Sequence, residues 1–199
     1  SIAINLNSGK YTVVVKYASL SKSVTIEVKS TVIADDVTKY YRNDTQFYAT
    51  ILDKNGNSVK NTVVKMNING VIYERTTNNQ GIVKLNLNLV PNTYILTVTN
   101  PSTSEMATSI VKILPRLVEN HDLVKYYRNA SRYSVKVLSK SGNAEVGKTV
   151  TFNINGVTYN RVTDSQGIAK LNINLQKGEY IITSSYNGQN IANTITVTE

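Results

Sequence analysis

The stretch MNINGVIYERTTNNQGIVKLNLNL (66–89) returns 86 residues later as FNINGVTYNRVTDSQGIAKLNINL (152–175). The register holds without a gap between 39–98 and 125–184, where 29 of 60 positions are identical. A match of that length is an internal duplication, and the duplicated piece is the unit to interpret. Within it, Leu85, Leu87 and Leu89 alternate with Asn86 and Asn88. A period of two puts the leucines on one face of a β-strand and the asparagines on the other. MNIN alternates in the same way, so asparagines 67, 69, 86 and 88 and their partners are expected to face outward.

The opening residues belong to the same series. INLNSGKYTVVVKYASLSKSVTIEV (4–28) lies over INLQKGEYIITSSYNGQNIANTITV (173–197) at a constant offset of 169. The expected organisation is therefore 1–30 as the C-terminal strands of a preceding, incomplete repeat, then repeats at 31–114 and 115–199. A two-strand tail builds no sandwich core of its own and is expected to fray or to borrow packing. The chain reads as a stretch of something longer. Turn signals fall at DKNGN (53–57), SKSGN (139–143), NNQG (78–81) and DSQG (164–167), and no 3.6-residue apolar pattern of useful length is present. Seven or so short strands in about 85 residues predict an all-β chain of tandem immunoglobulin-like sandwiches.

LNSGKY (6–11), LVPNTY (89–94) and LQKGEY (175–180) share Leu, four residues, then Tyr. That is the form of a tyrosine corner, in which a Tyr opening the sixth strand hydrogen-bonds back across the turn. Tyr11, Tyr94 and Tyr180 are thus structural candidates. Asn92 stands where Gly9 and Gly178 stand, which predicts a positive φ there, because Asn tolerates the left-handed region best after Gly.

Composition narrows the function classes. The net charge is +9, but it is spread over all three segments with no block of five or six like charges. Lys outnumbers Arg 16 to 6 and Asn numbers 25, a pairing that an AT-rich genome encodes. A nucleic-acid stripe is not present, and no partner of that class is expected. No apolar run approaches the roughly 18 residues of a membrane helix, so no membrane contact by this segment is expected. There is no cysteine, and a sandwich of this size buries enough surface to stand without disulfides.

The residues VTKYY, DKNGN and TVVKMNINGVIYERTTNNQGIVKLNLNLVPNTYILTV together resemble the bacterial-type immunoglobulin-like repeats found in the stalks of invasin- and intimin-like proteins. The Asn/Lys/Tyr-rich flavour of KYYRN, NING and LNLNL is similar to tandem repeats of adhesin-like surface proteins of methanogenic archaea. The resemblance covers both repeats and the last strands of the opening segment. It implies an extracellular location, at the cell surface or in the cell wall, in a modular protein.

KYYRN itself occurs at 39–43 and 125–129. Lys39, Tyr40, Tyr41, Arg42 and Lys125, Tyr126, Tyr127, Arg128 are candidate contacts for a carbohydrate or surface ligand; the competing reading is a strand-and-turn landmark. NDT and NAS make Asn43 and Asn129 candidate N-glycosylation acceptors at equivalent positions. A self-catalysed Lys–Asn isopeptide needs a neutral lysine beside a protonated carboxyl, for which Lys39, Lys125, Asp36 and Asp122 recur. His121 is the only histidine, is not repeated, and reads as a linker residue. No catalytic set, metal site or cofactor is expected. Lys65, Lys84, Lys136 and Lys170 are expected to discourage edge pairing. The segment 111–127 holds Pro115 and no Gly or Ser run, which predicts a stiff junction. The expected function is a non-enzymatic stalk that projects a distal binding region, its partners being other repeats of the chain. An adhesive module and a self-crosslinking domain are the alternatives.

Overall fold

The computed structural model describes residues 6–199, which form eighteen strands and no helix. Two compact units divide them. The first takes the chain up to Val37 together with Gln46–Leu87 and Tyr94–Val111; the second takes Thr38–Thr45, Asn88–Thr93 and Lys112–Glu199.

The second unit shows the sandwich in full. A three-stranded sheet has the order β11 (Leu117–Val118), β13 (Arg132–Val137), β16 (Ile168–Asn172). A five-stranded sheet has the order β12 (Leu123–Tyr126), β18 (Gln189–Thr198), β17 (Gly178–Tyr186), β14 (Thr149–Ile154), β15 (Val157–Val162). The opening strand is split: β11 lies antiparallel on β13, while β12 crosses to the other sheet and lies parallel on β18. The split turns the expected seven strands into eight segments, in an immunoglobulin-like arrangement.

Alternation decides what is buried. Along β14, Val150, Phe152 and Ile154 turn inward while Thr149, Thr151 and Asn153 do not. They meet Tyr133, Val135 and Val137 from β13 and Ala169 and Leu171 from β16. The Tyr133 and Phe152 rings meet edge to face at 5.7 Å and 88°. Each such side chain contributes about 1.5–3 kcal/mol on burial. Tyr133 also sews the two sheets together, since its hydroxyl donates to Asn193 Oδ1 at 2.7 Å.

The first unit repeats this plan. Its three-stranded sheet is β3 (Val32–Ala34), β5 (Gln46–Ile51), β8 (Ile82–Asn86). The matching five-stranded order is β4 (Val37–Tyr40), β10 (Met106–Leu114), β9 (Asn92–Thr99), β6 (Val63–Ile68), β7 (Val71–Thr76), of which Thr38–Tyr40, Lys112–Leu114 and Asn92–Thr93 are counted to the second unit. Phe47, Ile51, Val64, Met66, Leu85 and Leu96 are buried in it. Ahead of them, β1 (Gly9–Tyr17) and β2 (Leu20–Val28) form a regular hairpin from Gly9↔Val28 to Tyr17↔Leu20. Val14, Val15, Tyr17, Leu20 and Val24 remain exposed on it.

Three local expectations are corrected. Asn69 is not part of a strand's outward row: β6 ends at Ile68, and Asn69–Gly70 (φ 50° and 81°) form the tight turn into β7. Asn155–Gly156 (φ 52° and 78°) do the same between β14 and β15. Two successive positive φ values suit a hairpin whose turn must follow the strands' right-handed twist, and Asn-Gly is the dipeptide that adopts them most readily. Asn92 does not share the positive φ of Gly9 and Gly178; its side-chain oxygen accepts the Thr93 N–H at 2.8 Å instead. Of the four lysines, only Lys84 and Lys170 lie on edge strands, β8 and β16. Lys65 and Lys136 sit on inner strands, where both backbone edges are already paired.

Candidate functional site

The repeated KYYRN starts as a strand and ends as a turn. β12 carries Lys125 inward, leaving it 4% exposed. Its ammonium donates to the carbonyls of Ile173 (2.8 Å), Ser131 (3.3 Å) and Asn129. A lysine has three donors, and here all three are spent on main-chain oxygens. Lys39 is buried likewise, 5% exposed, and donates to Thr45 O at 2.9 Å. Burial pulls its pKa below the ordinary value; Asp44 opposes this and the Lys140 charge adds to it. Neither ammonium is presented to solvent.

After the lysine the chain turns. Asn43 N–H donates to Tyr40 O at 2.9 Å, and Asn129 N–H to Tyr126 O at 3.0 Å. Arg42 and Arg128 both take φ 60°, an uncommon conformation for arginine. Each lays its guanidinium over the preceding ring, 5.5 Å from the Tyr41 centroid and 5.2 Å from that of Tyr127. A cation–π contact of this kind offsets part of the backbone cost. The asparagine then closes the loop. Asn43 Oδ1 accepts the Thr45 N–H (2.8 Å) and hydroxyl (2.6 Å), and Asn129 Oδ1 accepts the Ser131 N–H (2.7 Å) and hydroxyl (2.5 Å). Both N-x-Ser/Thr triplets are therefore side-chain-to-backbone turns.

The two loops differ in their surroundings. In the first, Asn43 Nδ2 donates to Lys140 O at 2.8 Å, and Asp44 pairs with Lys140 at 3.2 Å. In the second, Asn129 is exposed, Tyr126 is 66% exposed, and Ala130 stands where Asp44 stands.

The remaining candidates take backbone roles. Asp36 Oδ1 accepts the Ile110 N–H at 2.7 Å. Asp122 Oδ1 accepts the Thr194 N–H at 2.7 Å and Asn193 Nδ2 at 3.3 Å, and these donors hold its carboxyl below the usual range. A deprotonated, exposed aspartate is not the protonated partner that isopeptide chemistry needs, and the hydrogen bonds of Lys125 go to carbonyl oxygens. The Tyr11 hydroxyl donates to Asn7 O and the Tyr180 hydroxyl to Gln176 O, both at 2.9 Å, four residues back across the turn. Tyr94 is buried. His121 is exposed, and among the described residues no three His, Cys, Asp or Glu side chains come together as metal ligands would.

Two clusters escaped the sequence reading because neither is repeated. Glu105 gathers the hydroxyls of Ser8 (2.6 Å), Ser30 (2.9 Å) and Thr31 (2.6 Å), and the Thr31 N–H (2.6 Å). Burial pushes its carboxyl up, but the donors from Ser8, Thr31 and Ser30 outweigh it and bring the pKa to about 2. Arg116 is buried, pairs with Glu145 at 2.6 Å, and lies 5.3 Å from the centre of the Tyr186 ring. These are structural clamps: their donors and acceptors are used within the fold.

No protein-family model and no curated protein matches the chain. Likenesses to solved structures span most of it. A Ca2+-stabilized adhesin that helps an Antarctic bacterium reach out and bind ice is 16% identical over 96% of this chain and 56% of that one, with a TM-score of 0.32. InvD of Yersinia pseudotuberculosis is 20% identical over 85% and 58%, with a TM-score of 0.36. The I9–I11 tandem of titin is 16% identical over 96% and 73%, with a TM-score of 0.39. The chain thus spans just over half the length of the first two. Scores this low carry no functional reading, and the sandwich is established by its own strand order and register. The flavour shared with methanogen repeats gains no support from these likenesses.

Proposed function

We propose that the chain is a run of non-enzymatic stalk repeats of a cell-surface, adhesin-like protein, with repeats at 31–114 and 115–199 and the end of another at 1–30. The surface setting follows from the sequence resemblance. The stalk role is carried by one observation. The pentapeptide KYYRN, kept verbatim in both repeats, turns its lysine onto carbonyl oxygens and its asparagine into a turn. Its second cation, Arg42 or Arg128, is exposed but lies over the neighbouring tyrosine ring. The motif stabilises a loop, which every repeat of a stalk needs and no ligand requires. On this reading Tyr11, Tyr94 and Tyr180 are corner tyrosines.

The test is binding. The full chain is passed over a glycan array and isolated cell walls at low and physiological salt. No saturable binding is expected at physiological salt, and retention at low salt alone reports the +9 charge. Saturable, salt-resistant binding that Tyr126→Ala abolishes would overturn the stalk reading in favour of an adhesive module.

A further inference from the structure

Thr38–Thr45 sits, within the second unit, on the turn Ser139–Asn143. The Tyr40 ring covers Gly142 so closely that a Cβ there would lie 2.5 Å from it. Asn43 Nδ2 and Asp44 hold Lys140 by its carbonyl and its ammonium, and Arg42 reaches Gly188.

The first unit carries the same turn. Asp53–Asn57 repeats the turn, with Lys54 for Lys140 and Gly56 for Gly142, and it closes in the same way: Asp53 N–H to Asn57 O at 2.8 Å, Ser139 N–H to Asn143 O at 2.7 Å. Yet a Cβ on Gly56 would meet nothing within 4 Å. Over this turn lies an open cleft of about 1080 Å3, bounded by Ser8, Lys10, Val28, Thr31, Lys54 and Gly56.

The cleft continues into a strand edge. In the second unit β12 runs parallel on β18, with Leu123↔Ile195 and Lys125↔Val197, and leads directly into its tyrosine turn. Asp122 caps that pairing on the Thr194 N–H. At the offset of 169, Thr194, Ile195 and Val197 are Thr25, Ile26 and Val28 of β2. Among the described residues β2 pairs only with β1.

We propose that the outer edge of the chain from Thr25 through the end of β2 to Lys29 and the cleft over Leu52–Gly56 are one acceptor site. Its ligand is a strand-plus-loop segment of the type Asp-x-x-Lys-Tyr-Tyr-Arg-Asn-x-Ser/Thr, the sequence this chain carries at 36–45 and 122–131. The Asp caps Thr25, the Lys-Tyr strand adds in parallel to β2, and the first Tyr covers Gly56. This is strand addition reading main-chain donors, with a side-chain seat that supplies specificity. It deepens the stalk reading, on which it rests: successive repeats are joined by the K-Y-Y-R-N loop of one seated on the x-Lys-x-Gly-Asn turn of the next.

The test extends the full chain at its N-terminus with DVTKYYRNDT through a Gly/Ser linker of about 20 residues, whose span is about 25 Å. Tethering holds the segment at roughly millimolar effective concentration. Amide exchange from Thr25 to Lys29 is expected to slow about tenfold or more relative to the same extension in scrambled order. In Gly56→Asn, which tolerates the left-handed backbone but places a Cβ in the tyrosine's seat, that protection is expected to be lost. Equal exchange with the ordered and scrambled extensions overturns the proposal. So does protection that survives Gly56→Asn, since the strand would then add without the seat. Neither result bears on the glycan and cell-wall assay, which judges the stalk reading separately.

Discussion

Replacing Lys125 by Met keeps an unbranched stem of similar length and removes the ammonium. In the parent, that ammonium satisfies the carbonyls of Asn129, Ser131 and Ile173 at a site only 4% exposed. Hydrogen bonds to a charged group contribute about 1.5–3 kcal/mol each, and an orphaned buried acceptor costs about 1–3 kcal/mol. The carbonyls of exposed Asn129 and Ser131 regain water in the variant, whereas Ile173 is buried. Removing the cation also recovers its desolvation cost, so the sum falls well short of three full bonds. A net loss of about 2–4 kcal/mol is expected, a large fraction of the roughly 5–15 kcal/mol that holds a domain folded. At a urea dependence of about 1 kcal/mol/M, the unfolding midpoint drops by about 2 M or more. The assay is urea unfolding, with Leu123–Tyr126 amide exchange as the local probe. Tyr126→Ala serves as the contrast: an exposed ring whose loss costs within about 0.5 kcal/mol. If Lys125→Met unfolds within that same margin of the parent, the carbonyl cluster is not what holds the loop, and the structural account of KYYRN fails.

Three further outcomes follow from the same geometry. Glu105 has its folded pKa depressed to about 2 from an ordinary 4.5, so its contribution is complete above the ordinary value and is lost as pH falls through about 2. Protection of the Thr31 amide, taken relative to its intrinsic exchange rate at each pH, should fall across that window, by about 1–2 kcal/mol once solvent screening is allowed for, and an unchanged profile in Glu105→Gln would count against the clamp. In a glycosylating host, peptide mass mapping should find Asn129 occupied in preference to Asn43, whose amide nitrogen is held by Lys140 O; equal occupancy would show that this bond does not persist. Intact mass should equal the sequence mass, because the hydrogen bonds of Lys125 go to carbonyls and Asp122 is ionised. A chain lighter by one ammonia would reinstate the crosslink.

The strands and the faces they bury are legible in the order of the amino acids alone. A period of two is a local property, so Val64, Met66 and Ile68 or Val83 and Leu85 declare their inward face within a few residues. The duplication then extended each assignment to its counterpart 86 positions on. The Asn-Gly hairpins were equally local and legible, but the alternation in MNIN masked them as strand. The role of KYYRN was not legible, because it depends on partners far away in the chain. Lys125 turns inward because strand pairing brings the Ile173 carbonyl, 48 residues away, to its ammonium. Five letters of sequence look the same whether a lysine faces water or a carbonyl cage. Glu105 and Arg116 were silent for the same reason, since their donors and acceptors meet only through contacts 22 to 97 residues apart. Tertiary structure also separated the twin asparagines, by placing Lys140 beside Asn43 and leaving Asn129 exposed. Repetition dictates equal local geometry, and only the packing around each copy makes the two loops chemically different.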